Sequence, residues 1–184
     1  AAPKVYDGNN TDTITSASGA ISTGVGSETL GVTGSGTFSD ANAANNKTVT
    51  VANVSTLAKA NVSTLAKANG TGNWSNYNLT TTGVMTTTAD ITRKNVTLDS
   101  ITAADKVYDG TAVASITGGS VSGTLTGESL SVSGQGSFAD KHVASNKTVT
   151  VQDVLTLSRD NGTGDWRNYQ LITTGALTDQ ANIT

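Results

Sequence analysis

The chain has no cysteine, one proline, one histidine and eight aromatic residues among 184. Each scarcity closes something off. Without cysteine there is no disulfide, no thiolate nucleophile and no Cys-ligated metal. Only 14% of residues are charged, the net charge is −3, and lysine and arginine are scattered singly. No basic stripe is available to neutralise a phosphate backbone, so nucleic acid is not an expected partner. No apolar run approaches the roughly 20 residues of a membrane-spanning helix, so membrane insertion is not expected. The opening "AAPKVYDG" has none of the charge and apolar pattern of a secretion signal.

What is abundant is threonine, serine, asparagine and glycine. All four rank low in helix propensity. Threonine and valine favour strands, and glycine and asparagine favour the turns between them. The composition predicts an all-β chain.

The chain also repeats itself. "KVYDG" at 4–8 recurs at 106–110, and "NKTVTV" at 46–51 recurs at 146–151. "NGTGNWSNYNL" (69–79) pairs with "NGTGDWRNYQL" (161–171), and "TTGVMTTTADIT" (81–92) with "TTGALTDQANIT" (173–184). The offset runs from 102 through 100 to 92. Much of the shift comes from "NVSTLAKA", which stands at 53–60 and again at 61–68. All eight aromatics fall at matched positions: Tyr6, Phe38, Trp74 and Tyr77 against Tyr108, Phe138, Trp166 and Tyr169. With so few large side chains, these are the expected core anchors.

Two domains follow, residues 1–92 and 93–184. The second carries a segment ahead of its "KVYDG", "RKNVTLDSITAAD" (93–105), where the first has only "AAP". Val96, Leu98 and, after a slip, Ile101 mark it as a strand. Either the first repeat begins without this N-terminal strand, or the sequence was cut after it. Strand signals every 8–12 residues, punctuated by glycine, predict β-sandwich-like units, with a partly open barrel or a β-grasp-like sheet as variants. The short join predicts an elongated, end-to-end arrangement. "YDG" reads as a turn whose glycine takes positive φ. Val149, Val151, Leu155 and Leu157 are expected on one face, with a bulge near Val154. The doubled octapeptide overruns a short strand, so residues 61–68 or their twin are expected to leave the sheet as a loop or hairpin tip.

"KVYDG", "SFAD" with "NKTVTV", "NY", and the closing "ADIT" or "ANIT" together resemble the YDG repeat of large bacterial surface adhesins. These are the filamentous-haemagglutinin-like, often two-partner-secreted proteins. The resemblance covers both copies. It implies a secreted, extracellular chain at the bacterial cell surface, associated with the outer membrane after secretion, with neighbouring repeats in a longer parent and with roles in adhesion, biofilm and virulence.

The search for chemistry yields no catalytic, cofactor-binding or metal-binding residue. His142 stands where the first copy has Asn42, so no Ser–His–Asp arrangement is shared. Asp7 and Asp109 lack the ligand spacing of a calcium loop and read as turn caps. Lys4/Lys106, Glu28/Glu128 and Asp90/Asn182 are the residue types of an internal isopeptide bond, but they are also ordinary surface residues. The pattern N-x-S/T occurs at 11 of 16 asparagines, which suits either a glycoprotein or plain turn chemistry. The expected function is a non-catalytic stalk that projects a binding region. The alternative is a direct binding module for a host glycan or protein, or for self-association between cells. Burial of Trp74 and Trp166 favours the stalk, and their exposure favours binding.

Overall fold

The computed structural model describes residues 1–15, 21–51, 65–68, 71–77, 84–172 and 175–184. It divides into two compact units, Ala1–Thr92 and Arg93–Thr184, and each is built on one seven-stranded sheet. The all-β expectation holds.

In unit 2 the strands are β8 (Lys94–Ala103), β9 (Val113–Ser122), β10 (Leu130–Phe138), β11 (Ala144–Val151), β12 (Ser158–Asn161), β13 (Tyr169–Leu171) and β14 (Leu177–Ile183). Their order is β13-β8-β9-β10-β11-β14, with β12 on β10. β10 changes partner along its length: Leu130–Ser133 pair with β12, and Gly134–Ser137 pair with β9. The switch falls at Gly134, whose φ of 155° lies outside the range that side chains favour. The sheet curls until β8 and β14 meet, where the Ala103 amide donates to Asp179 Oδ2 at 2.8 Å. The partly open barrel describes this unit. Its interior holds Val96, Leu98, Val132, Val149, Val154, Tyr169 and Ile183.

Unit 1 holds β1 (Lys4–Val5), β2 (Thr11–Thr15), β3 (Ile21–Ser22), β4 (Thr29–Phe38), β5 (Ala44–Val51), β6 (Leu65–Ala68) and β7 (Met85–Thr92). The order is β1-β7-β5-β4-β2, with β3 and β6 on β4. Phe38, Leu30, Val49 and Ile91 form its core. β5 and β11 carry the same bulge, at Ala44/Lys47 and Ala144/Lys147. Within it Asn46 and Asn146 adopt φ of 52° and 53°, a left-handed conformation that asparagine tolerates better than most side chains. That is why "NKTVTV" opens with asparagine.

Two expectations need correction and a third is narrowed. Tyr108 is 50% exposed although its counterpart Tyr6 is 7% exposed. The Tyr108 amide bonds to the carbonyl of Thr184 just as the Tyr6 amide bonds to that of Thr92, so the main chain is matched and only the cover over the ring differs. The run after Val151 is not strand with a bulge. Asp153 caps a 3₁₀ turn over Val154–Thr156, and three residues per turn put Val154 and Leu157 on the buried side and Leu155 outside. The expectation that residues 61–68 or their twin leave the sheet is narrowed: residues 65–68 of the second octapeptide are in the sheet as β6, paired with Gly31–Gly34. Its twin at 53–60 lies outside the described residues.

Candidate functional site

The pentamer "KVYDG" builds a closed clamp. β1 delivers Lys4 and the turn at Gly8 (φ 79°) folds the chain back over it. Lys4 Nζ donates to Asp7 Oδ1 at 2.7 Å, to the Asn9 carbonyl at 2.8 Å, to Asn9 Oδ1 at 2.9 Å and to the Thr11 carbonyl at 3.0 Å. Unit 2 repeats this: Lys106 Nζ meets Asp109 Oδ1 at 2.7 Å, the Thr111 carbonyl at 2.8 Å, Thr111 Oγ1 at 3.1 Å and the Val113 carbonyl at 3.0 Å. Each ammonium also lies over a phenylalanine ring, 5.7 Å from Phe38 or 5.8 Å from Phe138, within cation–π range. The Lys106 hydrogen bond and the Thr111 amide hold Asp109 down to about 2. Burial would raise Asp7, but the Lys4 and Asn9 contacts outweigh it and its pKa is lowered. The turn-cap reading of Asp7 and Asp109 is what the geometry displays.

"SFAD" and "NKTVTV" are joined by a second matched pair. Lys47 Nζ reaches Asp40 at 2.6 Å, and Lys147 bonds Asp140 in the same way. Both lysines are buried, and their hydrogen bonds lower both aspartates. The second oxygen-bonding role of each aspartate is a cap. Asp140 Oδ1 accepts the His142 amide at 2.8 Å, as Asp40 accepts that of Asn42. The main chain makes this contact, so the side chain is free to differ, and His142 is exposed.

The third matched pair is a carboxylate and a phenol. Tyr169 donates to Glu128 Oε2 at 2.7 Å and accepts the Leu125 amide at 3.1 Å. Tyr77 donates to Glu28 likewise. "NGTG" is the cradle for this pair: a Cβ on Gly164 would meet Glu128 Oε2 at 2.9 Å, and one on Gly162 would meet the Ser129 carbonyl at 2.5 Å. Beside it Trp166 is 7% exposed. Its Nε1 donates to the carbonyls of Ser131 at 3.0 Å and Asp160 at 2.9 Å. The ring of Trp74 falls outside the described side chains.

The isopeptide candidates are not brought together. Lys106 Nζ is in its clamp, whereas Asn182 Nδ2 donates to Asp105 Oδ2 at 2.9 Å and Asn182 Oδ1 accepts the Asn146 amide. In unit 1 Asp90 takes the matching amide, that of Asn46, at 2.7 Å. Pro3 stands in the place of Asp105 there, so the carboxylate that meets Asn182 has no counterpart in the first copy. Several sequon asparagines have structural work as well: Asn161 Oδ1 accepts the Trp166 amide and Asn73 Oδ1 accepts the Ser75 amide. Among the described residues no three His, Asp or Glu side chains group as metal ligands.

One feature of unit 1 escaped sequence reasoning. Asp12 occupies an inward position of β2, next to Ile14, and is only 3% exposed. Its Oδ2 has no hydrogen-bond partner. The alternation of "TDTIT" signals an inward Asp12 once Ile14 is taken as core. A cleft of about 390 Å³ runs past it, lined by Lys4, Asp7, Asn9 and Thr11–Thr13. Unit 2 has Ala114 at this place.

Comparison with known proteins gives one match. The YDG domain pattern matches residues 1–84 and again 92–177. No curated protein and no solved structure matches the chain. The two family matches together span most of the sequence and contain both lysine clamps, both Asp–Lys pairs and both Glu–Tyr pairs; the chain belongs to the YDG domain family, which it carries in two tandem copies.

Proposed function

We propose that this chain is a non-catalytic repeat segment of a bacterial surface adhesin of the filamentous-haemagglutinin-like kind. It acts outside the cell as a stalk or spacer that projects a binding region. The observation that carries this reading is how the matched polar residues are spent. Lys4 and Lys106, the Asp40–Lys47 and Asp140–Lys147 pairs, and Glu128 with Tyr169 all close loops onto their own sheet. Trp166, the side chain best suited to stacking on a sugar, is buried with its N–H satisfied. What the two copies keep in common serves folding, as a repeated spacer requires. One observation favours the second reading, a direct binding module for a host glycan, a host protein or its own kind: the unit 1 cleft with the unpartnered oxygen of Asp12.

The experiment is replacement. Both units in the parent adhesin are exchanged for an unrelated pair of β-domains of the same length. A spacer role predicts that adhesion to host cells and cell–cell aggregation are retained. Loss of either, with surface display unchanged, refutes the spacer role and supports the binding module.

A further inference from the structure

Among the described residues, Asp12 is the one side chain buried with an oxygen left over. It sits on β2 opposite Gly36 of β4, is 3% exposed, and its Oδ2 meets no donor. Leaving an ionised carboxylate buried costs several kcal/mol unless a positive charge or a donor meets it. The cleft that runs past it is lined by Asp7 and Asp12 against Lys4, two negative charges to one positive. The Lys4 ammonium is already spent on Asp7, Asn9 and the Thr11 carbonyl. Ala2 and Pro3 add an apolar wall. Folding does not explain the acid. Unit 2 builds the same strand with Ala114, which is fully buried opposite Gly136.

We propose that this cleft binds a primary ammonium group on an apolar stem, as the lysine side chain of a partner protein presents, with Asp12 Oδ2 accepting its N–H. The inference rests on the second reading above, direct binding, and gives it a ligand class. A single positive charge balances the lining. A sugar hydroxyl would supply a donor but leave the carboxylate charge uncompensated. A guanidinium is matched by two free oxygens in a fork, whereas one oxygen suits the point donor of an ammonium. A calcium ion takes six to eight oxygens, and among the described residues no three His, Asp or Glu side chains group as ligands. A volume of about 390 Å³ leaves room for the stem against Ala2 and Pro3. With alanine at its matching position, unit 2 lacks the acceptor.

The test is an NMR titration of the 184-residue chain, read at the amides of Thr11, Asp12 and Thr13. The matching amides of Val113, Ala114 and Ser115 are the internal control. The probes are n-butylammonium, an acetylated Gly-Lys-Gly amide, and glucose as a neutral donor. Saturable shifts at Thr11–Thr13 are expected with both amines, with none at Val113–Ser115 and none from glucose. Affinity should fall at least about tenfold in Asp12→Asn, which keeps the shape, and in Asp12→Ala, which carries the residue unit 2 folds with. Amine shifts that survive both substitutions, or that appear equally at Val113–Ser115, overturn the site. Shifts from glucose alone overturn the ammonium. Binding of n-butylammonium without the peptide overturns the lysine side chain as its source and leaves a small free amine. No amine shift at all overturns the proposal; if the same chain still captures host cells, the binding-module reading stands without it.

Discussion

Lysine 106 is the most informative residue to remove. Its side chain is 16% exposed and its amine bridges a carboxylate, a hydroxyl and two carbonyls. Lys106→Met keeps the stem that lies along the unit and deletes the charge. The carbonyls of Thr111 and Val113 each lose a charge-assisted hydrogen bond, a contribution of about 1.5–3 kcal/mol apiece. Water at the rim of the loop recovers part of this. The Asp109 ion pair adds little to this, because that carboxylate is more than half exposed and screened by water. The expected loss is about 2–4 kcal/mol, which for a unit of this size lowers its melting temperature by roughly 10–25 °C. Urea unfolding followed by fluorescence measures it, in a chain with Trp74→Phe so that Trp166 reports unit 2 alone. The exposed neighbour gives the control: Val107→Ala, 75% exposed in the native chain, should stay within about 0.5 kcal/mol. A second readout is the Asp109 carboxyl, which should rise from about 2 towards the ordinary aspartate range when Lys106 is gone. A loss for Lys106→Met no larger than the control, with Asp109 unmoved, would refute the clamp as a stabilising device.

Other outcomes follow from the same geometry. Asp7, Asp40, Asp109 and Asp140 all have lowered native pKa values, so the unfolded state binds protons first as pH falls. Stability should be flat from pH 7 to about 5, then decline below about 4 as pH drops through the native values towards 2, read as urea midpoints across that series. Gly119→Ala should cost about 1–3 kcal/mol, because its Cβ would stand 2.4 Å from the Ser100 carbonyl and 2.9 Å from Leu98 Cδ1. Gly118→Ala next to it meets nothing within 4 Å and should be close to neutral in the same melt. Trp166→Phe keeps an aromatic ring but leaves the Ser131 and Asp160 carbonyls without their shared donor. A loss of about 1–3 kcal/mol is expected by denaturant unfolding.

Much of this was legible in the sequence because a repeat compares a chain with itself. The paired aromatics pointed to Phe38, Phe138, Trp166 and Tyr169 as core, and all four are buried. The slip in "NVTLDSI" is the bulge at Asp99, and the glycine of "YDG" has positive φ in both copies. Tyr108 was misjudged because identity of motif does not fix what covers a ring. The run from Val154 to Leu157 was misjudged because apolar residues three apart also fit a broken strand pattern; the aspartate ahead of Val154 is the cap that decides between them. The clamps were invisible in a different way. A lysine beside "YDG" reads as solvated until the loop carbonyls converge on it, and that convergence depends on the path of main chain five to seven residues on. Asp12 was passed over because strand alternation was read in the second copy, where alanine stands.

The proposal that most needs a direct test is that the two tandem YDG units serve as a spacer. Small-angle X-ray scattering of the 184-residue chain tests it directly. A single compact globule of this length has a radius of gyration of roughly 16 Å. The spacer account predicts a value well above this, with a distance distribution skewed to a long tail. A radius near 16 Å with a symmetric distribution would contradict it.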